Sequence, residues 1–314
     1  MNPNKINKVS PANYRKENVR VYLLILLSFL LSCQSNSWRT PSSDEKIIDI
    51  VFDLDWTLIS KVEENYRGQK GVIVVGDELY RVHDWAREIV TAFHNNPRYR
   101  VSFFSGGPAL RNMNVLSQVK LIDGSGKSFS EIAYKKLHRH DITEVEPGPE
   151  IENPRPGDRW KKDLRKVNSD TKRVILIDDD FRHALDSNQR KNILWTGKGL
   201  FHYESSTDLS AGKIEKPFNE FVPSSVQEWS LQRNKLALVY GIIEESASEL
   251  DRDSSQLSRL IQQRVEDAGI EKNVLSARGR ELFYLGSSKL KKLNRRAQRV
   301  AVDQRCFDLL GPLL

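Results

Sequence analysis

The chain has 314 residues, 39% hydrophobic and 29% charged, which suits a soluble globular fold of about two domains and excludes disorder and a polytopic membrane protein. Two cysteines exclude a disulfide scaffold and a cysteine-based zinc ribbon. The net charge of +7 gathers at two ends, with five basic residues against Glu17 in 1–32 and seven against Asp303 in 287–305; the near-neutral body between them gives weak support to a nucleic-acid partner.

Val21 to Ser32 (VYLLILLSFLLS) is a twelve-residue run without a charge. A bilayer-spanning helix takes about 20 residues. A basic start followed by a short apolar stretch predicts a secretory signal over 1–32. Leu30-Leu31-Ser32-Cys33 resembles the lipobox of bacterial lipoproteins. That resemblance implies lipidation of Cys33 and a place in the cell envelope, on a membrane facing the periplasm or exterior. Residues 33–46 are polar and predict a tether. A short uncleaved anchor, and a cytoplasmic chain with a fortuitous apolar helix, are the alternatives.

Ile47–Leu54 (IIDIVFDL) predicts a buried strand. Residues 71–82 predict a hairpin turning at Gly76-Asp77. Trp85, Ile89, Val90 and Phe93 stand near helical spacing in 83–95. Arg100–Phe104 predicts a second buried strand, and 109–119 and 129–137 predict helices. The Pro-, Gly- and Glu-rich stretch 143–158 predicts a surface loop. A short helix at 160–167, a third strand at 173–177 and a fourth at 192–195 follow. Apolar strands alternating with helices predict an α/β fold with a central parallel sheet covered on both faces. Past Ser225 the pattern turns helical. The domain expectation is a core over 47–215 and a helical extension over 225–314.

The ends of the three main strands carry the chemistry. The first delivers Asp53-Leu54-Asp55-Trp56-Thr57, the second Ser105-Gly106-Gly107, and the third Asp178-Asp179-Asp180. Ligands of open parallel sheets bind beyond the carboxyl ends of the strands. Several carboxylates meeting there repel unless a cation joins them, and hard oxygen donors suit Mg²⁺. One carboxylate can attack phosphorus. A second can protonate the leaving oxygen and later deprotonate water. A hydroxyl and a lysine can hold the phosphoryl oxygens, and Lys161 or Lys162 stands ahead of the third strand.

These segments resemble the motifs of the haloacid dehalogenase superfamily: Ile50-Val51-Phe52-Asp53-Leu54-Asp55-Trp56-Thr57, then a strand ending in Ser105, then a lysine, then Ile177-Asp178-Asp179. Lys162-Asp163-Leu164 before the Asp178 pair, and a hairpin flap in place of a large cap, resemble the NLI-interacting-factor-like small C-terminal-domain phosphatases. The resemblance covers roughly 47–205 and implies a Rossmann-like core. It implies that Asp53 is the nucleophile and a Mg²⁺ ligand. Asp55 would be the general acid/base and lend its backbone carbonyl to the metal, and Thr57 would support the loop. Ser105 and Lys162 would bind the phosphoryl group, with Lys161 as fallback. Asp178 would bind Mg²⁺, with Asp179 directly or through water. Trp56 fills a slot often held by Gly or Glu.

The expected function is a Mg²⁺-dependent phosphomonoester hydrolase acting through an aspartyl phosphate. Its partner would be a phosphorylated small molecule or a phosphoprotein, with the membrane reached through Cys33. The alternatives are a binding module with little catalysis and a nucleotide or polynucleotide-end phosphatase. The latter rests on the basic run Lys289, Lys291, Lys292, Arg295, Arg296, Arg299 and Arg305, which reads first as a solvated helix face and only second as a contact with anionic lipid or nucleic acid. Gly124-Ser125-Gly126-Lys127-Ser128 lacks the first glycine of a phosphate-binding loop and reads as a turn. His138 and His140 read as surface polar residues, His183 as pocket rim or helix surface. Leu236, Val239, Ile242 and Ile243 read as the core of a helical pair.

Overall fold

The computed structural model describes residues 47–197, 225–250, 257–270 and 275–310. The signal and tether assigned to 1–46, Cys33 included, and the end of the core at 198–215 lie outside the described residues. Among the described residues no helix is long and apolar enough to cross a membrane.

Five parallel strands form the central sheet. They are β1 (Ile48–Phe52), β5 (Tyr99–Phe104), β6 (Lys136–Leu137), β9 (Val174–Asp178) and β10 (Ile193–Trp195), in the order β10-β9-β1-β5-β6. Every residue of β1 and β9 is buried. The two-residue period of a strand sends alternate side chains to opposite faces. Ile50, Phe52, Ile175 and Ile177 join one core, and Val51, Leu176 and Ile193 join a second with Leu164 and Val167. This is the α/β architecture that the apolar runs predict. Phe52 pairs with both Phe103 and Ile177. That register carries Asp53, Ser105 and Asp178 out of the sheet along one carboxyl edge.

Between β1 and the first long helix, α1 (Ala86–His94), stands a small antiparallel sheet. It comprises β2 (Ile59–Val62), β3 (Val72–Val75) and β4 (Glu78–Val82), in the order β2-β4-β3. The predicted hairpin is present, with its turn at Gly76 in the left-handed region at φ 60°. A third strand joins it, because half-polar Ile59–Val62 pairs with the free side of β4. Helix α2 (Ala109–Gln118) follows β5.

Two predicted helices are shorter than their patterns. At 129–137 only Phe129–Ile132 is helical, started by a Ser128–Glu131 capping box. Lys136-Leu137 leaves the helix to pair with Phe103-Phe104. At 160–167, Trp160–Lys161 forms strand β8 against β7 (Thr143–Glu144), and a single 3₁₀ turn follows over Leu164–Lys166. The 143–158 segment thus supplies a strand, and also a one-turn helix at Pro156–Arg159.

Three further helices follow: α3 (Val226–Leu250), α4 (Leu257–Ala268) and α5 (Ala277–Leu310). They share a compact unit with the sheet. Leu236, Val239, Ile242 and Ile243 are fully or almost fully buried, in the core that also holds Phe52 and Phe93. The Phe93 ring meets Tyr240 edge-on at 5.2 Å. Helices α3 and α5 cross backbone against backbone. A Cβ on Gly241 would lie 2.0 Å from the Leu282 carbonyl oxygen, and one on Gly286 would lie 1.9 Å from that of Ala237. Neither carbonyl can step aside without moving its helix. Gly286→Ala therefore destabilises the fold by about 3 kcal/mol, read as a lower urea midpoint; an unchanged midpoint would show that the crossing has slack.

Candidate active site

Asp53 follows β1 and is anchored by its own N–H, which donates to the Ile177 carbonyl at 3.0 Å. Asp178 ends β9 and Asp179 follows it. Asp53, Asp178 and Asp179 each offer a carboxylate oxygen, all within 4.8 Å of one another. Lys162 enters this group fully buried. Its Nζ donates to Asp53 Oδ1 at 2.6 Å and Asp178 Oδ2 at 2.7 Å. The other oxygen of Asp178 accepts from the Asp180 N–H at 2.8 Å.

The choice between the two lysines follows from strand geometry. Neighbours at the end of a strand point to opposite sides. Lys161 Nζ donates to the carbonyls of Gly157 and Arg182, at 2.8 and 2.7 Å. Lys162 alone of the pair reaches the acids. Its backbone N–H donates to the His183 carbonyl, and His183 Nδ1 donates to the Trp160 carbonyl at 2.9 Å. His183 therefore backs Lys162.

Asp55 stands on the other side of Asp53. Its carboxylate lies outside the group of three: Oδ1 is paired with Arg111 Nη2, and Oδ2 accepts from Ser105 Oγ at 3.3 Å. The backbone carbonyl is the atom through which the resemblance would give Asp55 to a metal. Ser105 Oγ accepts from the Gly107 N–H at 3.1 Å. The second glycine of Gly106-Gly107 is tightly packed, since a Cβ on Gly107 would meet Asn112 Oδ1 at 2.6 Å. Thr57 is fully buried, and its hydroxyl has no partner among the described residues. It supports the loop through its carbonyl, which accepts from His83 Nδ1 at 2.9 Å.

Burial pushes the Asp53 carboxyl up to about 7; the charges of Asp178 and Asp55 add to the rise and Lys162 opposes it. Burial, and then the charges of Asp178 and Asp53, push Asp179 well above the usual carboxylate range. Burial alone would lower Lys162, but Asp178 and Asp53 outweigh it and hold the ammonium firmly charged. Acids this crowded with hard oxygen donors fit a divalent cation, which would replace their protons.

The other sequence candidates lie elsewhere. His138 is a buried neighbour of Asn112, and His140 pairs with Asp141. Residues 124–128 form a turn with Gly124 and Gly126 at positive φ. In the basic run, Lys289 pairs with Glu244, while Lys291, Lys292, Arg295 and Arg296 are exposed.

Sequence reasoning missed two cations. Arg111 comes from α2, and its guanidinium lies 5.1 Å from the ring of Tyr80 on β4 while it grips Asp55. Lys235 comes from α3, is buried, and donates from Nζ to the Trp56 carbonyl at 2.7 Å. Nothing local marks either residue, although a single lysine before the apolar run Leu236–Tyr240 hints at a buried charge.

The family model described as NLI interacting factor-like phosphatase matches residues 48–196. No curated relative matches the sequence. Among solved structures the chain is similar to Fcp1, an essential RNA polymerase II CTD phosphatase, at 16% identity over 70% of this chain and 71% of that one, with a TM-score of 0.40. It is also similar to a beryllium-fluoride-bound variant of the fission yeast RNA polymerase II CTD phosphatase Fcp1, at 19% identity over 85% of this chain and 67% of that one, with a TM-score of 0.35. The matched span holds β1 to β10, and Asp53, Asp55, Ser105, Lys162, Asp178 and Asp179 all fall within it. The likeness to the NLI interacting factor-like phosphatases thus rests on residues 48–196, a little under half of the chain, and that span carries every residue of the candidate site described above except Lys235.

Proposed function

We propose that the chain hydrolyses phosphomonoesters through an aspartyl phosphate on Asp53, with Mg²⁺ held by Asp53, Asp178, Asp179 and the Asp55 carbonyl. The observation that carries this reading is three clustered carboxylates, two of them bridged by one buried lysine. Bound Mg²⁺ would supply a Lewis acid that polarises a phosphoryl oxygen.

The protein's own groups do the rest. Lys162 engages Asp53 Oδ1, which leaves Oδ2 to attack phosphorus. The P–O bond to the leaving group breaks, and Asp55 gives that oxygen its proton. Asp55 then takes a proton from water as the water attacks the aspartyl phosphate, releasing phosphate and restoring Asp53. Ser105 and Lys162 hold the phosphoryl oxygens where charge develops. Arg111 fixes the orientation of Asp55. A phosphorylated protein side chain is the favoured substrate class, because a three-stranded flap with Tyr80 beside Arg111 takes the place of a large helical cap.

The test is turnover of p-nitrophenyl phosphate by the purified protein, with Mg²⁺ and then with excess EDTA. The expected outcome is hydrolysis that EDTA abolishes and added Mg²⁺ restores, with a phosphoenzyme cleaved by hydroxylamine. Equal rates with and without EDTA would remove the metal from the mechanism, and a folded protein silent in both would favour a binding module.

A further inference from the structure

The loop that carries the two catalytic acids is held from outside the family domain. Trp56, between Asp55 and Thr57, sits in the left-handed region at φ 63°, and Trp85, just before α1, sits there at φ 69°. They are the non-glycine residues with positive φ among the described residues. A side chain with a Cβ pays a steric cost in that region and persists there only when its surroundings hold it.

Three consecutive residues of α3 hold both. Lys235 Nζ donates to the Trp56 carbonyl at 2.7 Å, and Trp85 Nε1 donates to Asn234 Oδ1 at 3.0 Å. Arg233 Nε donates to Asp84 Oδ2 at 2.6 Å. His83, next to Asp84, holds the Thr57 carbonyl from the other side. The Asp53–Thr57 loop is thus gripped at two successive carbonyls, one of them by α3. Lys235 is also felt electrostatically by Asp179 and Asp53. A fully exposed lysine would have made a cheaper surface for α3, since burying an ammonium costs several kcal/mol.

We propose that α3 is a built-in positioning element of the phosphatase site and that Lys235 is the positioning residue that holds the Asp53–Thr57 loop in its strained shape. The catalytic unit then extends beyond residues 48–196 to include α3. The effect on turnover rests on the phosphatase reading above; the effect on the loop does not.

The loop carries its own reporters. The Trp56 N–H donates to the Ile59 carbonyl, and the N–H groups of Leu58 and Ile59 donate to the Leu54 carbonyl. Hydrogen exchange of a peptide over 54–60 therefore measures opening of the loop, and a peptide over 48–52 reports the sheet. In the full chain, Lys235→Met should speed exchange of 54–60 about tenfold or more and leave 48–52 unchanged. Lys235→Arg, which keeps the cation, should give an intermediate rate, and it answers the question if the Met variant does not fold. Adding Trp56→Gly to Lys235→Met should recover protection, because glycine adopts positive φ without cost. In p-nitrophenyl phosphate turnover, kcat should fall about 10- to 100-fold with KM nearly unchanged, and recover in part in the double variant. Unchanged exchange of 54–60 in Lys235→Met, or equal acceleration of both peptides, would overturn the proposal. Silence of the wild-type protein towards phosphate esters would count against the phosphatase reading and leave the exchange result to decide the loop.

Discussion

Asp53→Asn is expected to lower kcat by about 10⁴-fold or more, the scale of loss when a covalent nucleophile is removed, while the protein stays folded. The amide has the shape of the carboxylate, and its oxygen can still accept from Lys162 Nζ, as Asp53 Oδ1 does at 2.6 Å. It cannot attack phosphorus. The same substitution has a stability signature of the opposite sign. The folded-state value of Asp53 is raised from 3.8 to about 7, first by burial. Its contribution to stability is therefore fully present below about pH 4 and is lost as pH rises through about 7. Asparagine never ionises and escapes that loss. In metal-free protein the variant's urea midpoint should gain on the wild type between about pH 5 and pH 8, and saturating Mg²⁺ should shrink the gain. Retained turnover would remove Asp53 from the nucleophile's place.

How much of this was legible depends on how each residue reaches the site. The acids and Ser105 follow apolar runs, and a buried parallel strand announces itself by such a run. Once three runs pair in parallel, their ends share an edge whatever the details of register. The flap's β2 was not legible, because Ile-Ser-Lys-Val is short and half polar and takes its strand character from β4. The stop at Ile132 was hidden for the same kind of reason: the capping box starts a helix locally, but pairing of Lys136 with Phe103 ends it from a distance. Lys162, favoured over Lys161 by the resemblance, is the one that meets the acids, because the two lysines leave the end of β8 in opposite directions. Arg111 and Lys235 meet partners 56 and 179 residues away. A lysine beside an apolar helical run shows that a charge is near the core, not which carbonyl or carboxylate it will find.

Lys162→Met tests the centre of the cluster and is expected to run opposite to Asp53→Asn in its pH dependence. The lysine side chain is only 1% exposed and spans Asp53 and Asp178. Its loss removes a donor aimed at developing phosphoryl charge, so kcat should drop by about 10³-fold. It also strands buried carboxylates. At about pH 8, where Asp53 is ionised in the wild type, the metal-free variant should be less stable by about 3 kcal/mol, the usual cost of breaking a buried pair from one side. Asp53 and Asp179, already raised by burial and by neighbouring acids, rise further without the ammonium. Towards about pH 5 these two hold their protons, less charge is left to strand, and the stability deficit should shrink. Mg²⁺ should recover much of the lost stability at pH 8, because a cation placed among the acids replaces the missing charge, but little of the lost turnover, because it does not replace the lysine's N–H donors. Urea midpoints at the two pH values, with and without Mg²⁺, separate these effects. A deficit equal at both would mean that Lys162 acts through packing rather than charge.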